Sequence, residues 1–217
     1  MSYALEHLRH EQEATLTAPQ RKYGFFAKVL FLFATLFFGK KNSLLKFKAL
    51  EIIARVPYQA WEQVAYIAGT NIRSKPGFAK RLYGFVKNAR ELQDNVTWHL
   101  LILEELVQKK QLKENTFIYR LIPQLMAFFY YHLSWILFVI KPAWSYSLNI
   151  DFEDRAERAY MQYVQEHPEL DQEPFESAFK EEYWDFNRLG DVFRRIALDK
   201  RQHKLQSLES IQKKTFL

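Results

Sequence analysis

The chain has 217 residues, a length that suits one domain with a sizeable core, and its 48% apolar and 26% charged residues exclude a disordered protein. Its net charge of +6 suits the anionic face of a membrane better than nucleic acid, because the sequence carries no zinc-finger spacing, glycine-rich phosphate loop or RNA-binding aromatic motif. It has no cysteine, so disulfides and thiol catalysis are excluded, and carboxylates and imidazoles are the metal ligands that remain.

Two apolar stretches stand out after a polar N-terminus. Residues 1–23 are predicted to form a mobile arm ahead of a single helical domain over 24–217. The first stretch, 24–38, reads GFFAKVLFLFATLFF and is short for a membrane span. The second, 121–140, has no formally charged residue and is long enough to cross a bilayer.

Four amphipathic helices are predicted in the rest of the chain, because apolar residues recur there at helical spacing. They cover residues 44–68, 78–109, 149–166 and 188–212. Proline and glycine fall between them, strand-like alternation is nearly absent, and no internal repeat of useful length is found. Helices without strands in one domain predict an all-α bundle.

Several short segments carry a resemblance to a known family. Residues 50–58 read LEIIARVPY, similar to the segment that opens the metal-binding core of plastid terminal oxidases, a branch of the alternative oxidases. Residues 99–106 read HLLILEEL and resemble the run that follows this family's first Glu-x-x-His motif. Further family-like blocks keep their order at 129–131, Pro142, 183–184 and 191–196, so the resemblance extends over about residues 24–212.

The resemblance implies a fold and a chemistry. Alternative oxidases are ferritin-like four-helix bundles with two additional hydrophobic helices that face the membrane. Their bundle holds two irons with one Glu from each of two helices and a Glu-x-x-His pair from each of two others, since residues at i and i+3 share a helix face. A quinol delivers electrons, and the paired irons reduce dioxygen to water.

The family's metal ligands match only in part. The resemblance places retained ligands at Glu51, His99, Glu153 and His203. Val96 stands three residues before His99, and Lys200 stands three before His203, where the family has glutamates. With Lys200 pointing inward, two acids and one ammonium would replace four acids. Two metal ions would then be strongly disfavoured, since close unit charges interact by about 4 kcal/mol at an effective dielectric constant near 20.

Three arrangements of this core are open at the level of sequence. In the first, Lys200 fills the vacated metal space, pairs with Glu51 and Glu153, and leaves no cofactor bound. In the second, Lys200 reaches solvent and the four retained ligands hold a single metal ion. In the third, the alignment is shifted and a working site for two irons remains.

Other residues take their expected roles from the resemblance. Behind the metal ligands it places Asn95, Asp199 and Trp184. It puts Tyr160 near the metals and the quinol, so Tyr160 is the candidate catalytic residue and, with Leu50 and Ala159, the candidate lining of a quinone pocket. Outside the family context each of these residues is more often an ordinary core or surface residue.

The two apolar stretches match the family's first and fourth long helices, which lie side by side in one leaflet. Monotopic attachment to one leaflet is therefore expected, with flanking basic residues at the lipid headgroups. A membrane span by 121–140 and burial of both stretches in the core are the alternatives. The side chains expected to face the membrane are Phe25, Phe26, Phe33, Phe37, Phe128, Phe129, Trp135 and Phe138.

Two functions from different classes follow. The first is a pseudoenzyme that keeps the bundle and the membrane face and binds a quinone, a lipid or a partner protein, and the changes at both Val96 and Lys200 favour it. The second is an active quinol:oxygen oxidoreductase with iron. A homodimer, or a place in a larger membrane complex, is expected by family analogy, and no nucleic-acid partner is expected.

Overall fold

The computed structural model describes residues 2–70, 75–183 and 186–213, and within these ranges the chain is helical with no β-strand. The helices are α1 Ser2–Thr17, α2 Phe25–Phe38, α3 Leu44–Ala54, α4 Val56–Thr70, α5 Pro76–Lys109, α6 Ile122–Ile140, α7 Pro142–Glu166, α8 Lys180–Tyr183 and α9 Leu189–Lys213. A π-helical turn, Phe117–Leu121, precedes α6, and a 3-10 turn, Pro168–Asp171, follows α7. The all-α prediction is confirmed.

The bundle is built from four long helical units. α3 and α4 pack along α5, and α7 packs along α9. The two halves meet over the core. There α3 and α4 each form a hydrogen bond with α7, and α3 also forms an ion pair with α9. α2 and α6 lie outside this core, with α6 against α4 and α7. The predicted four-helix bundle with two additional apolar helices is therefore the observed architecture.

Prolines explain where the helix ends differ from the predicted ones. The helix predicted over 44–68 is broken at Arg55. Pro57 lacks the N–H that would bond the carbonyl of Ile53, and its ring crowds that carbonyl. The helix predicted over 149–166 begins earlier, at Pro142, because proline is favoured in the first turn of a helix.

The N-terminal arm differs from the mobile segment expected from its polar composition, because α1 lies on the bundle against α7 and α9. Arg201 Nη2 donates to Thr15 Oγ1 at 2.6 Å, and Thr15 Oγ1 donates to Glu157 Oε1 at 2.9 Å. Gln12 Nε2 donates to the carbonyl oxygen of Met161 at 3.0 Å. The polar side chains of the arm therefore bond to polar groups of the bundle instead of water. The domain boundary at residue 23 stays a prediction.

α2 and α6 each bury one face and expose the other. Phe25 of α2 is 73% exposed and Phe129 of α6 is 68% exposed. Phe26, Phe33 and Phe128 also point outward, whereas Phe37 and Trp135 are half-buried. Residues 117–140 are long and apolar enough to cross a membrane by length and composition alone, and α2 is a shorter apolar helix.

The expectation that Phe138 faces the membrane is wrong. Its side chain is 1% exposed and lies on the buried side of α6 that also carries Ser134 and Leu137. The ring stacks on Trp61 with the centroids 5.8 Å apart and on Phe85 with the centroids 6.1 Å apart. Sequence alone missed this because phenylalanines occur all around the helix, and only the neighbouring helices decide which of them are covered.

Arg194 ties α9 to the 3-10 turn. Its Nη1 donates to Asp171 Oδ1 at 2.6 Å, and its Nη2 donates to Asp171 Oδ2 at 3.0 Å, so the pair is bidentate. Nη1 also donates to Asp191 Oδ1 at 3.0 Å. The hydrogen bonds and charge of Arg194 lower the pKa of Asp171 below its usual value.

Replacing the aspartate tests this link. A lowered folded pKa means that the stabilisation is present above the unfolded pKa of about 3.9 and is lost as the pH falls through the folded value. At pH 7 we expect Asp171→Asn to lower the free energy of unfolding by about 1–3 kcal/mol, because a hydrogen-bonded ion pair is lost. Unfolding curves from pH 7 to pH 2 should show the two proteins converging at acid pH, and a constant difference would contradict the assignment.

Candidate functional site

Five ionisable side chains from four helices meet in the bundle core. They are Glu51 of α3, His99 of α5, Glu153 of α7, and Lys200 and His203 of α9, and each is at most 2% exposed. Lys200 and His203 are three residues apart and share one face of α9. The four positions that sequence singled out as retained metal ligands are therefore brought together.

Lys200 lies between the two acids. Its Nζ donates to Glu51 Oε2 at 2.6 Å and lies 4.0 Å from Glu153 Oε2. Lys200 is therefore bonded to Glu51 and lies at the limit of ion-pair distance from Glu153. The alternative in which Lys200 reaches solvent is wrong, because its side chain is 0% exposed. A long side chain at this position has no route to water, since it points into the bundle and not along its surface.

Each of the two glutamates accepts a hydrogen bond from a tyrosine on another helix. Tyr160 OH on α7 donates to Glu51 Oε1 on α3 at 2.7 Å. Tyr58 OH on α4 donates to Glu153 Oε1 on α7 at 2.7 Å, and Asn149 Nδ2 donates to the same hydroxyl at 3.2 Å. Tyr58 was missed as a site residue, although it follows Glu51 by about two helical turns, as Tyr160 follows Glu153.

His99 is held from behind by a hydrogen-bonded cluster. Its Nε2 lies 3.1 Å from both Asp199 Oδ2 and Tyr183 OH, and Tyr183 OH donates to Asp199 Oδ2 at 2.6 Å. Asn95 Nδ2 donates to the same carboxylate at 3.2 Å. Asn95 and Asp199 thus lie behind His99 as expected, whereas Trp184 lies outside the described residues.

The inner nitrogens of both histidines face the acids. His99 Nδ1 is 3.5 Å from Glu51 Oε2, and His203 Nδ1 is 3.7 Å from Glu153 Oε1. Neither Nδ1 is within hydrogen-bond geometry of a protein group in the described ranges, and Glu153 Oε2 is also without such a partner. The inward nitrogens are therefore without a bond, and the His99 ring is oriented from its other side, through Nε2.

The charges of the core support one another. Burial alone would raise the pKa of Glu51, but the positive charge of Lys200 and the nearby His99 imidazole lower it to about 2. Burial opposes the charged form of Lys200, yet Glu51 and Glu153 raise its pKa above the ordinary value. Asp199 and Glu51 likewise raise the pKa of His99 against the effect of burial. The buried acids and cations of the site therefore stabilise one another's charged forms.

Two metal ions do not fit this donor set. Val96 is 1% exposed and offers the core only a hydrocarbon side chain. Glu51 and Glu153 each accept a tyrosine hydroxyl, and the Lys200 ammonium lies between them. No group of three or more His, Asp or Glu side chains is placed to hold a metal ion within the described ranges. A bundle centre for two metals needs four carboxylates, and two are present.

The three residues expected to line one quinone pocket do not all line the same cavity. Leu50 and Ala159 line a cavity of about 350 Å³ between α2, α3 and α7. Tyr160 lies behind this cavity, where its ring stacks on Phe47 with the centroids 4.1 Å apart. Its hydroxyl is bound to Glu51, so Tyr160 belongs to the charged core.

Comparison with known families supports the resemblance read from the sequence. A family model described as alternative oxidase matches residues 7–208 of the chain. The match includes α1, which the sequence motifs did not reach, and all five ionisable residues of the core. A comparison with curated proteins finds no match.

Removing the buried ammonium tests what holds the core together. In Lys200→Met, two buried acids lose their cation, and we expect the free energy of unfolding to fall by about 3–5 kcal/mol. The matched control is Lys213→Met, which removes an exposed pair with Glu209 and should cost less than about 0.5 kcal/mol. Adding Glu51→Gln to Lys200→Met should restore part of the loss. Denaturant unfolding in detergent checks this, and a Lys200 variant as stable as the control would refute the pairing.

Proposed function

The chain belongs to the alternative oxidase family, and we propose that it is a membrane-attached, non-catalytic member in which a buried ion pair stands where the family holds two irons. The family as a whole is membrane-associated and suggests quinol oxidation. The observation that carries the proposal is the bond between Lys200 Nζ and Glu51 Oε2, made by a fully buried lysine. We also propose, from the resemblance of residues 50–58, that the chain is related to the plastid terminal oxidases within this family.

The charge of the core argues against loading with iron. A divalent ion would have to share two buried carboxylates with the Lys200 ammonium or displace that ammonium from the core. Each close contact between unit charges contributes about 4 kcal/mol at an effective dielectric constant near 20. Lys200 already supplies the positive charge that Glu51 and Glu153 need when they are buried.

The remaining side chains do not replace the missing chemistry. Oxidation of a quinol by dioxygen needs a group that accepts electrons and passes them on. Carboxylates, imidazoles and an ammonium hold and move protons, but they do not accept electrons from a quinol. No step of oxygen reduction is therefore assigned to Glu51, His99, Glu153, Lys200 and His203.

The outer faces of α2 and α6 support attachment to one leaflet. Their exposed side chains form a large apolar surface, and surfaces of this kind mark contacts with a membrane or a partner. Between the two helices lies an apolar cleft of about 410 Å³, with Phe33 and Phe129 among its lining residues. Exposed basic residues that flank these helices would meet anionic headgroups, namely Arg21, Lys22, Lys28, Lys40, Lys41, Arg120 and Lys141.

The competing function is active quinol oxidation with a metal centre. Membership of the family favours it, as do the inward histidines and the two retained acids. It requires Lys200 to leave the core or to lose its proton, and it requires other ligands in place of Val96. Metal content and oxygen consumption distinguish the two functions directly.

Metal analysis of the purified chain tests the proposal. After anaerobic exposure to ferrous iron and desalting, we expect no bound iron and no quinol-dependent oxygen consumption, because the ammonium excludes the ions. About two irons per chain together with oxygen consumption would overturn the non-catalytic assignment.

Restoring the acids is the reverse experiment. In Val96→Glu with Lys200→Glu, the core regains four carboxylates, and we expect it to bind iron. Each single variant is the matched control and should bind much less. A double variant that folds but binds no iron would show that these two positions alone do not account for the difference from the family.

Flotation with liposomes tests the membrane face. Leu32 and Leu36 of α2 are 66% and 70% exposed, and burying a leucine in lipid contributes about 1.5–3 kcal/mol. Leu32→Glu with Leu36→Glu should therefore lower the fraction bound to vesicles by at least about ten-fold. The control is Tyr66→Glu with Tyr83→Glu, which changes two exposed residues away from this face. Equal loss in both double variants would exclude α2 as the attachment surface.

A further inference from the structure

The cavity beside Leu50 and Ala159 has an unusual charge distribution. It has a volume of about 350 Å³, and four cationic residues line it: Lys40, Lys46, Arg155 and Arg158. Aspartate and glutamate are missing from its lining within the described ranges. The closest acid along α7, Asp154, is bound by Lys204 Nζ at 3.0 Å. The cavity therefore has a strongly positive wall.

The innermost cations have no carboxylate partner. Lys46 is 4% exposed, and its Nζ donates to the carbonyl oxygens of Gly39 and Lys40 at 3.0 and 3.1 Å. The Arg155 guanidinium lies 4.3 Å from the centroid of the Phe31 ring. In the described part of the chain no carboxylate lies within ion-pair distance of either residue. Burial and the nearby charge of Arg155 lower the pKa of Lys46, and burial lowers the pKa of Arg155.

Arg158 is only partly satisfied as well. Its Nη2 donates to the carbonyl oxygen of Ala18 at 2.9 Å, and its Nη1 lies 3.4 Å from that of Leu16. Its Nε is buried and has no hydrogen-bond partner among the described residues. Charges removed from water are normally paired, and here Lys46 is buried while Arg155 and Arg158 are half-buried, so the three cations around this cavity favour an anion.

Phosphate is the anion that matches this lining. Guanidinium groups bind phosphate oxygens through paired N–H donors, and lysine adds a point charge. Phe31 and Ala34 of α2 and Phe152 of α7 form an apolar wall beside these cations. A neutral quinone would leave the three cations uncompensated, whereas a ligand with a phosphate and an apolar part would use both walls.

We propose that this cavity binds the phosphate group of an anionic lipid headgroup, so that attachment to the membrane is selective for anionic lipids. This inference rests on the proposed function in one respect, which is that α2 lies in the lipid. The phosphate chemistry itself is shared by free phosphate, which is the other source of the same group. Lipid is favoured because the cavity opens beside an apolar helix whose far side is exposed.

Binding of soluble ligands in detergent tests the site separately from membrane attachment. Short-chain phosphatidylglycerol should raise the thermal midpoint of the wild-type chain saturably, and short-chain phosphatidylcholine should raise it much less. Arg155→Gln should weaken the apparent affinity for phosphatidylglycerol about ten-fold, since one charged contact is lost. Arg155→Lys keeps the charge but lacks the paired N–H donors, so its affinity for phosphatidylglycerol should lie between those of wild type and Arg155→Gln.

The matched control is Lys80→Gln, which removes the same unit charge from an exposed residue of α5 outside the cavity lining. It should bind phosphatidylglycerol like wild type. A shift produced equally by inorganic phosphate would support the phosphate site and identify a soluble ligand as its source. Absence of a shift with both ligands, or equal weakening in Arg155→Gln and Lys80→Gln, would overturn the proposal.

The two proposals fail in different ways. If the chain does not bind vesicles but phosphatidylglycerol still shifts its midpoint through Arg155, membrane attachment is wrong and the phosphate site stands. If the fraction bound is the same on neutral and on anionic vesicles, for wild type and for Arg155→Gln alike, the membrane face stands and the phosphate site is wrong. Circular dichroism of each variant shows that the helical content is unchanged.

Discussion

A charge buried in a protein must be neutralised, and this constraint organises the whole structure. Glu51 and Glu153 face each other inside a helical bundle where water does not reach. In the family a pair of metal ions supplies the compensating charge, and here the Lys200 ammonium lies within ion-pair distance of both acids. A bundle can lose its metals and remain folded only if something else neutralises its acids. The lysine therefore has a structural role as well as a chemical one.

The same constraint explains how the helices are tied together. Tyr160 and Tyr58 each donate to an acid on another helix, so α3, α4 and α7 are linked through the site and not only through apolar contacts. Asp199 fixes His99 from behind through its own set of donors. The cationic cavity beside α2 is the contrasting case, because Lys46 and Arg155 are left without a compensating acid. A core with paired charges suits stability, and a cavity with unpaired charges suits a ligand.

Sequence predicted the architecture and the convergence of the core residues well. Helical periodicity gave the long helices, and the spacing of Lys200 and His203 placed both on one face. It missed what depends on neighbouring elements. Phe138 is covered by Trp61 and Phe85, which no pattern within α6 reveals. Arg155 lies in a run of charged residues, yet its guanidinium lies against Phe31 of α2, a contact that no pattern within α7 reveals.

Diffraction at the iron absorption edge shows most directly whether Lys200 or metal ions occupy the space between Glu51 and Glu153. Crystals grown with ferrous iron should show the Lys200 side chain within hydrogen-bond distance of Glu51 and no anomalous peak between Glu51 and Glu153. Two anomalous peaks between those acids, with the lysine turned away, would contradict the account.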